Sequence, residues 1–144
     1  MTTNTSPVMH ARKKMRKTGI HLEYSKQYRV KLILLKPIVD WYVPCNFAGW
    51  DDNFLQSHRQ FHNMSQKFSL LKNARMMSLI GEVGGHRVDL GKRWRKADKQ
   101  PFVLCLKELL PGKPVEGELK VCLNDASGFF WNNRGSYQLE IETL

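Results

Sequence analysis

Two stretches near the C-terminus alternate apolar and polar residues with a period of two, and this pattern restricts the fold more than any other feature of the chain. Glu118-Leu-Lys-Val-Cys-Leu123 places Leu119, Val121 and Leu123 on one side. Ser136-Tyr-Gln-Leu-Glu-Ile141 sends Tyr137, Leu139 and Ile141 one way and Gln138 and Glu140 the other. Successive side chains of a strand point to opposite faces, so each segment reads as a strand with one face in a core. Tyr28-Arg-Val-Lys-Leu-Ile-Leu-Leu35 begins by alternating and then becomes continuously apolar, the pattern of a buried strand. Pro37 interrupts it, and Ile38 to Val43 resumes as a second β-branched segment. Met76 to Gly81 and His86 to Leu90 flank Glu82-Val-Gly-Gly85 as a hairpin would, and Phe102 to Leu106 adds a further short strand. About seven or eight short strands separated by turn residues, with no βαβ alternation, imply an all-β antiparallel sandwich.

With 144 residues the chain has room for one ordinary core, so residues 18–144 are expected to form a single sandwich domain. Residues 1–17 are polar and then strongly basic, through Arg12-Lys13-Lys14-Met15-Arg16-Lys17, and show no periodic apolar face; they read as a flexible basic arm. Residues 46–73 are rich in Asn, Gln, His and Phe without a clear period and read as a long loop with a helical turn around Leu55 to Phe61. Lys92 to Lys99 reads as a basic loop carrying Trp94, the best candidate in the sequence for stacking on a nucleic-acid base.

The 23 Lys and Arg outnumber the 13 Asp and Glu, a formal charge of +10 that makes anionic partners plausible without demanding nucleic acid, which is disfavoured. Three cysteines, none in C-x-x-C spacing, fit neither a zinc knuckle nor a disulfide scaffold. No stretch approaches the roughly 18 apolar residues of a membrane span. No apolar signal region follows the basic cluster, so the expected location is cytoplasmic, or outside by a non-classical route.

The connection between the last two strands carries the chemistry. Asn124-Asp-Ala-Ser-Gly-Phe-Phe-Trp-Asn-Asn133 holds one carboxylate, Asp125, and three side-chain amides, Asn124, Asn132 and Asn133. Hard cations such as calcium take about six to eight oxygens, drawn from carboxylates, amide oxygens and backbone carbonyls. A loop pinned between paired strands can gather such a set, although Asn, Asp and Gly are also ordinary turn residues.

The spacing Asn-Asp-x6-Asn-Asn-x-Gly-Ser, followed by an alternating terminal strand, resembles the PA-I type galactophilic lectins. The resemblance is firm over about residues 116–142 and loose over residues 18–44 and 76–81. It implies a jelly-roll, galactose-binding-domain-like sandwich, with calcium held by Asp125, Asn132 and Asn133 and by the backbone carbonyl of Phe129. A second carbonyl would come from Tyr42 in Tyr42-Val43-Pro44, with Trp41 as its alternative in the neighbouring register. Bound calcium would bridge two hydroxyls of a galactose-type sugar contacted by Asp125, Ala126 and Asn132. Multivalent capture through a homo-oligomer would suit such a domain. The chain departs from the family in three places. The His/Gln segment that contacts sugar there has no clear counterpart, and His58, Gln60 or His62 would have to supply it. Phe129-Phe130-Trp131 is bulky: Trp131 is placed to stack on a sugar face, while other rings of the trio would plug the sandwich end. The basic arm lies outside the family pattern.

Other chemistries are poorly supported. His58 and His62 stand four apart without an acidic ligand nearby, Gly81-Glu-Val-Gly-Gly85 lacks the setting of a dinucleotide fingerprint, and Gly-x-Ser-x-Gly is absent. An enzyme is therefore not expected. The competing reading is a basic adaptor or toxin-associated module that keeps the fold and uses its cations on a protein or anionic polymer.

Overall fold

The computed structural model describes residues 2–126 and 128–144; Met1 of the basic arm and Ser127 of the 124–133 loop lie outside the described residues. In chain order the elements are β1 (Thr3–Thr5), β2 (Met9–His10), β3 (Arg16–Leu22), β4 (Tyr28–Asp40), β5 (Val43–Asn46) and β6 (Gly49–Trp50). The helices α1 (Asp52–Ser57) and α2 (Arg59–Gln66) follow, then β7 (Leu79–Val83), β8 (His86–Asp89), α3 (Leu90–Lys96), β9 (Phe102–Leu104) and α4 (Leu106–Leu109). The long strands β10 (Gly117–Leu123) and β11 (Asn133–Thr143) close the chain, separated by a 3-10 turn at Phe130–Asn132.

Every paired strand runs antiparallel, in two sheets. One has the order β1-β11-β4-β5-β6, with β2 added to β11 and β9 to β4; the other has the order β3-β10-β7-β8. The alternating residues do what their period demands. Leu119, Val121 and Leu123 from one sheet and Tyr137, Leu139 and Ile141 from the other are all buried in one apolar cluster, with Ile20, Leu22, Val30 and Leu79. Burial of each such side chain stabilises by about 1.5–3 kcal/mol. The mostly β, antiparallel sandwich expected from the pattern is the observed architecture. The Gly84-Gly85 turn joins β7 to β8 with φ of 55° and 79°, the paired positive values a two-residue hairpin favours.

Four expectations need correction. Pro37 does not divide two strands: β4 runs through it to Asp40. The ladder steps from Arg134↔Val39 to Ser136↔Lys36, so the extra residue lies on β4, whose Pro37 and Ile38 stand against Gly135 alone; Pro37 sits in this bulge, where no ladder amide is asked of it. Gly135 faces the bulge at φ +116°, so close that a Cβ there would lie 2.6 Å from the Pro37 carbonyl oxygen.

Residues 1–17 are not a free arm. β1 pairs with β11 and β2 extends the pairing at Ser136 and Tyr137. Ser6, Met9 and Ala11 are buried, and Arg16 already belongs to β3. Arg12, Lys13, Lys14 and Lys17 stay exposed, which is why the segment looks purely polar: few residues turn inward and they follow no single period.

The 46–73 segment is half helical, so the turn expected around Leu55 to Phe61 extends into two short helices. Asp51 caps α1, its carboxylate accepting from the Asn53 and Phe54 amides. Both helices dock on the buried Trp50, against which Phe54, Phe61 and His62 pack. Lys92 to Lys96 likewise lie in a helix, α3, capped by Asp89. Trp94 packs edge-on against Phe47 at 5.3 Å within the core cluster, so it is not free to stack on a base. Among the described residues no helix is long and apolar enough to cross a membrane.

Candidate functional site

The 124–133 loop and the β4–β5 turn meet at one end of the sandwich because their flanking strands are paired there. Asp40, the last residue of β4, is the Cα partner of Asn133, the first residue of β11. Immediately beyond, the Trp41 amide donates to the Asn132 carbonyl at 3.2 Å. Trp41 sits at φ +55°, a conformation that costs a non-glycine residue energy and is retained here where the turn abuts the loop.

The three amides predicted to act together divide into two roles. Asn124 is structural. Its Oδ1 accepts from the Leu71 amide at 2.8 Å and its Nδ2 donates to the carbonyls of Leu71 at 3.0 Å and Ala74 at 3.1 Å, pinning the 69–75 segment to β10. Asn133 is 2% exposed; its Nδ2 donates to Asp125 Oδ2 at 2.9 Å and to the Ala11 carbonyl at 3.3 Å. Two acceptors on one end fix which end is the nitrogen, and that leaves Asn133 Oδ1 buried with no donor. Asn132 Oδ1 is likewise buried and unpartnered. Buried polar atoms are rarely left unpaired, because desolvating each costs about 1–3 kcal/mol. The two open amide oxygens, on consecutive residues, are of a type that hard cations take as ligands.

Two carboxylates accompany them. Asp125 is 2% exposed and its Oδ1 accepts from the Ala126 amide at 2.7 Å. Burial holds its carboxyl above the usual carboxylate range, against the opposing pull of the Asn133 and Ala126 donors. Asp40 is 8% exposed, and its Oδ2 accepts from the Trp50 indole at 3.0 Å. Burial, and then the nearby charge of Asp125, push it up to about 6. None of the ion pairs among the described residues involves either carboxylate. Among the described residues no group of three or more His, Cys, Asp and Glu side chains gathers as a metal cluster would. The donors here are two carboxylates with amide and backbone oxygens.

Above this polar floor opens a cleft of about 710 Å³, the size of a small-molecule site. Asp40, Asp125, Ala126 and Asn132 line its base, and Trp41, Phe61, Met64, Phe68, Phe129 and Trp131 form its walls. Of the aromatic trio, Phe130 is buried and plugs the sandwich, while Phe129 and Trp131 stay outside, Trp131 at 76% exposed. The Phe129 carbonyl accepts a long 3.3 Å bond from the Asn132 amide.

Asp125, Ala126, Phe129, Trp131 and Asn132 thus share one cleft, with Asn133 directly behind them. Other candidates fall elsewhere. Tyr42 is exposed and outside the cleft, which Trp41 lines in its place. His58 stacks on Phe54 at the α1–α2 junction, away from the cleft, because the helices turn it outward. His62 is a core residue: its Nε2 accepts from the Met76 amide at 3.0 Å and its Nδ1 bonds Asn63. That satisfies both nitrogens and removes the His58–His62 pair as a metal site. Sequence reasoning missed Asp40 and the apolar wall from α2. The signal for Asp40 was its place at the end of a strand, one residue before the Trp41-Tyr42 turn.

No family model matches the sequence, and no curated protein matches it either. Among solved structures, the fold is similar to the N-terminal domain of EclA, described as a PllA-like lectin. The likeness covers 99% of this chain and 95% of that one, at a TM-score of 0.57 and 12% identity. At that identity the match establishes a shared fold, that of a lectin domain, and leaves function to the site.

Proposed function

We propose that this chain is a non-enzymatic, calcium-dependent carbohydrate-binding domain of the galactose-binding type. The observation that carries this reading is the pair of buried, donorless oxygens, Asn132 Oδ1 and Asn133 Oδ1, beside the unpaired carboxylate of Asp125 at the base of an open cleft. A cation is the partner that satisfies all three at once. Asp125, Asn132, Asn133 and the Phe129 carbonyl hold it in this reading, with a carbonyl from the Trp41-Tyr42 turn; Trp41, which lines the cleft, is the better placed of the two. Bound calcium supplies open coordination positions to vicinal hydroxyls. Asp125 accepts a hydrogen bond from one of those hydroxyls, Asn132 orients the other, and the rings of Trp131 and Trp41 cover the apolar face of the pyranose. Affinity at one such site is modest, so galactose-containing glycans are held through several copies, in a homo-oligomer or on one surface.

A glycan array run with millimolar calcium and again with chelator tests this. Calcium-dependent signal on galactose-terminated glycans supports it; binding that is absent, or indifferent to chelator, overturns it.

One observation favours a second reading. A groove of about 680 Å³ at the N-terminal strands is lined by His10, Lys13, Arg16, Lys17 and Lys120, with no acidic residue in its lining. In that reading a basic adaptor or toxin-associated module uses this groove on an anionic polymer or acidic protein surface. Steep loss of binding with salt and indifference to calcium separate it from the first.

A further inference from the structure

Among the unexplained groups of this molecule, Asp40 is the most demanding. It is an acidic side chain buried in a basic protein, and among the described residues no lysine or arginine approaches it within ion-pair distance. Its one side-chain partner among the described residues is the Trp50 indole, on Oδ2. The other oxygen belongs to a residue that lines the cleft together with Asp125 and Asn132. The sheet explains the juxtaposition, since Asp40 and Asn133 form a rung of the β4–β11 ladder.

Holding Trp50 does not require a charge. An amide oxygen would accept the indole N–H equally well and would avoid a second buried negative charge beside Asp125. A divalent cation reverses that balance. With Asp40 and Asp125 both ionised the site carries two negative charges, matching a calcium ion, and the donorless Asn132 and Asn133 oxygens complete the neutral part of the coordination. We infer that Asp40 is a second carboxylate ligand of the cation site, supplied by the strand end and not by the 124–133 loop. This rests on the calcium reading given above. It adds that the site is charge-neutral when loaded and selects divalent over monovalent cations by its carboxylate count.

The test uses the full chain and calcium alone, without sugar. Calcium affinity is measured by calorimetry for the wild type, Asp40→Asn, Asp125→Asn and Trp50→Phe. Tryptophan-sensitised terbium(III) emission, with Trp50 bonded to the proposed ligand as the nearby antenna, gives a second readout for the two Asp variants and for displacement by calcium. Asp40→Asn keeps the shape and an acceptor for Trp50, so the chain should stay folded while calcium affinity falls more than about a hundredfold, beyond the roughly 10–100-fold loss typical of an outer partner. Asp125→Asn should fall comparably. Trp50→Phe removes the indole donor but leaves the carboxylate, and should keep calcium affinity within about threefold. If Asp40→Asn binds calcium within about twofold of wild type while Asp125→Asn does not bind, the Asp40 assignment is wrong and the calcium reading stands. If Trp50→Phe loses calcium as fully as Asp40→Asn, Asp40 acts only through Trp50 and the assignment is again wrong. A wild type that binds no calcium overturns both.

Discussion

Asp40→Asn should change stability in opposite directions with and without calcium, and the calcium-free half of that statement has a calculable size. Burial and the neighbouring Asp125 raise the Asp40 carboxyl from 3.8 to about 6. A folded-state value above the unfolded one means the folded protein binds the proton more tightly. The associated stability is fully present below about pH 4 and is lost as pH rises through about 6. Two units correspond to about 3 kcal/mol by pH 7.5. For a chain of this length that is roughly 10 °C in melting temperature. Asn is the uncharged isostere, so in chelator Asp40→Asn should melt about 10 °C above wild type at pH 7.5 and level with it near pH 4. Differencing the two proteins matters because His62 works the other way. Burial lowers its proton affinity in the folded state, so its contribution is lost as pH falls; it is common to both proteins and cancels. Scanning fluorimetry from pH 4 to 8 in chelator gives the curve. An Asp40→Asn protein no more stable than wild type at pH 7.5, or a difference that does not change with pH, would refute the reasoning that Asp40 is an uncompensated buried charge.

Three further outcomes are expected. Deleting residues 2–11 removes β1, β2, the buried Met9 and the Ser6–Leu139 amide pair, and should cost at least about 3 kcal/mol in urea unfolding; a loss under about 1 kcal/mol would mean the segment does not pack. Asn124→Ala breaks a fully bonded buried amide and should destabilise by about 3 kcal/mol, whereas Asn132→Ala discards a donorless oxygen and should leave chelator stability nearly unchanged while abolishing the calcium-induced melting shift; equal behaviour of the two in calorimetric and thermal assays would contradict the division of roles. Replacing Lys13, Arg16, Lys17 and Lys120 by Gln should flatten the salt dependence of heparin binding without touching calcium-dependent glycan binding, and loss of glycan binding on an array would favour the cationic reading.

What could be read from the sequence follows how each part of the fold is stabilised. β10 and β11 are long and alternate over most of their length, burying Leu119, Val121 and Leu123 and then Tyr137, Leu139 and Ile141, so their side chains announce both element and face. The N-terminal strands do not. β2 is two residues long and inserts Met9 alone, and β1 is exposed throughout; both exist because β11 offers unpaired backbone, a cause written in another part of the chain. Of the helices α1 and α2 only a turn around Leu55 to Phe61 was legible, for a related reason. Phe61, Met64 and Phe68 do recur at helical spacing and line the cleft, but Phe61 also stacks on Trp50 and His62 is buried, so the apolar residues are divided between the cleft and the packing. Pro37 misled because it is tolerated in a bulge of β4 that closes only against Gly135, nearly a hundred residues away in sequence.

The same distinction governs the site. Asp125, Asn132 and Asn133 were legible because one short loop carries them at fixed spacing. Their separation from Asn124 was not, since only the hydrogen-bond network shows that Asn124 is saturated and the other two are not. Ala11, from the segment that looked dispensable, accepts from Asn133 Nδ2 and thereby turns the amide so that its oxygen is left open. Asp40 arrives by strand register from the opposite side. A basic chain with two buried carboxylates in a largely apolar cleft, neither in an ion pair among the described residues, has placed its rarer charges where they are costly. A folded protein retains such an arrangement when a bound cation reverses the sign of that cost, which is why the calcium-free and calcium-loaded stabilities of the Asp40 variant are expected to move in opposite directions.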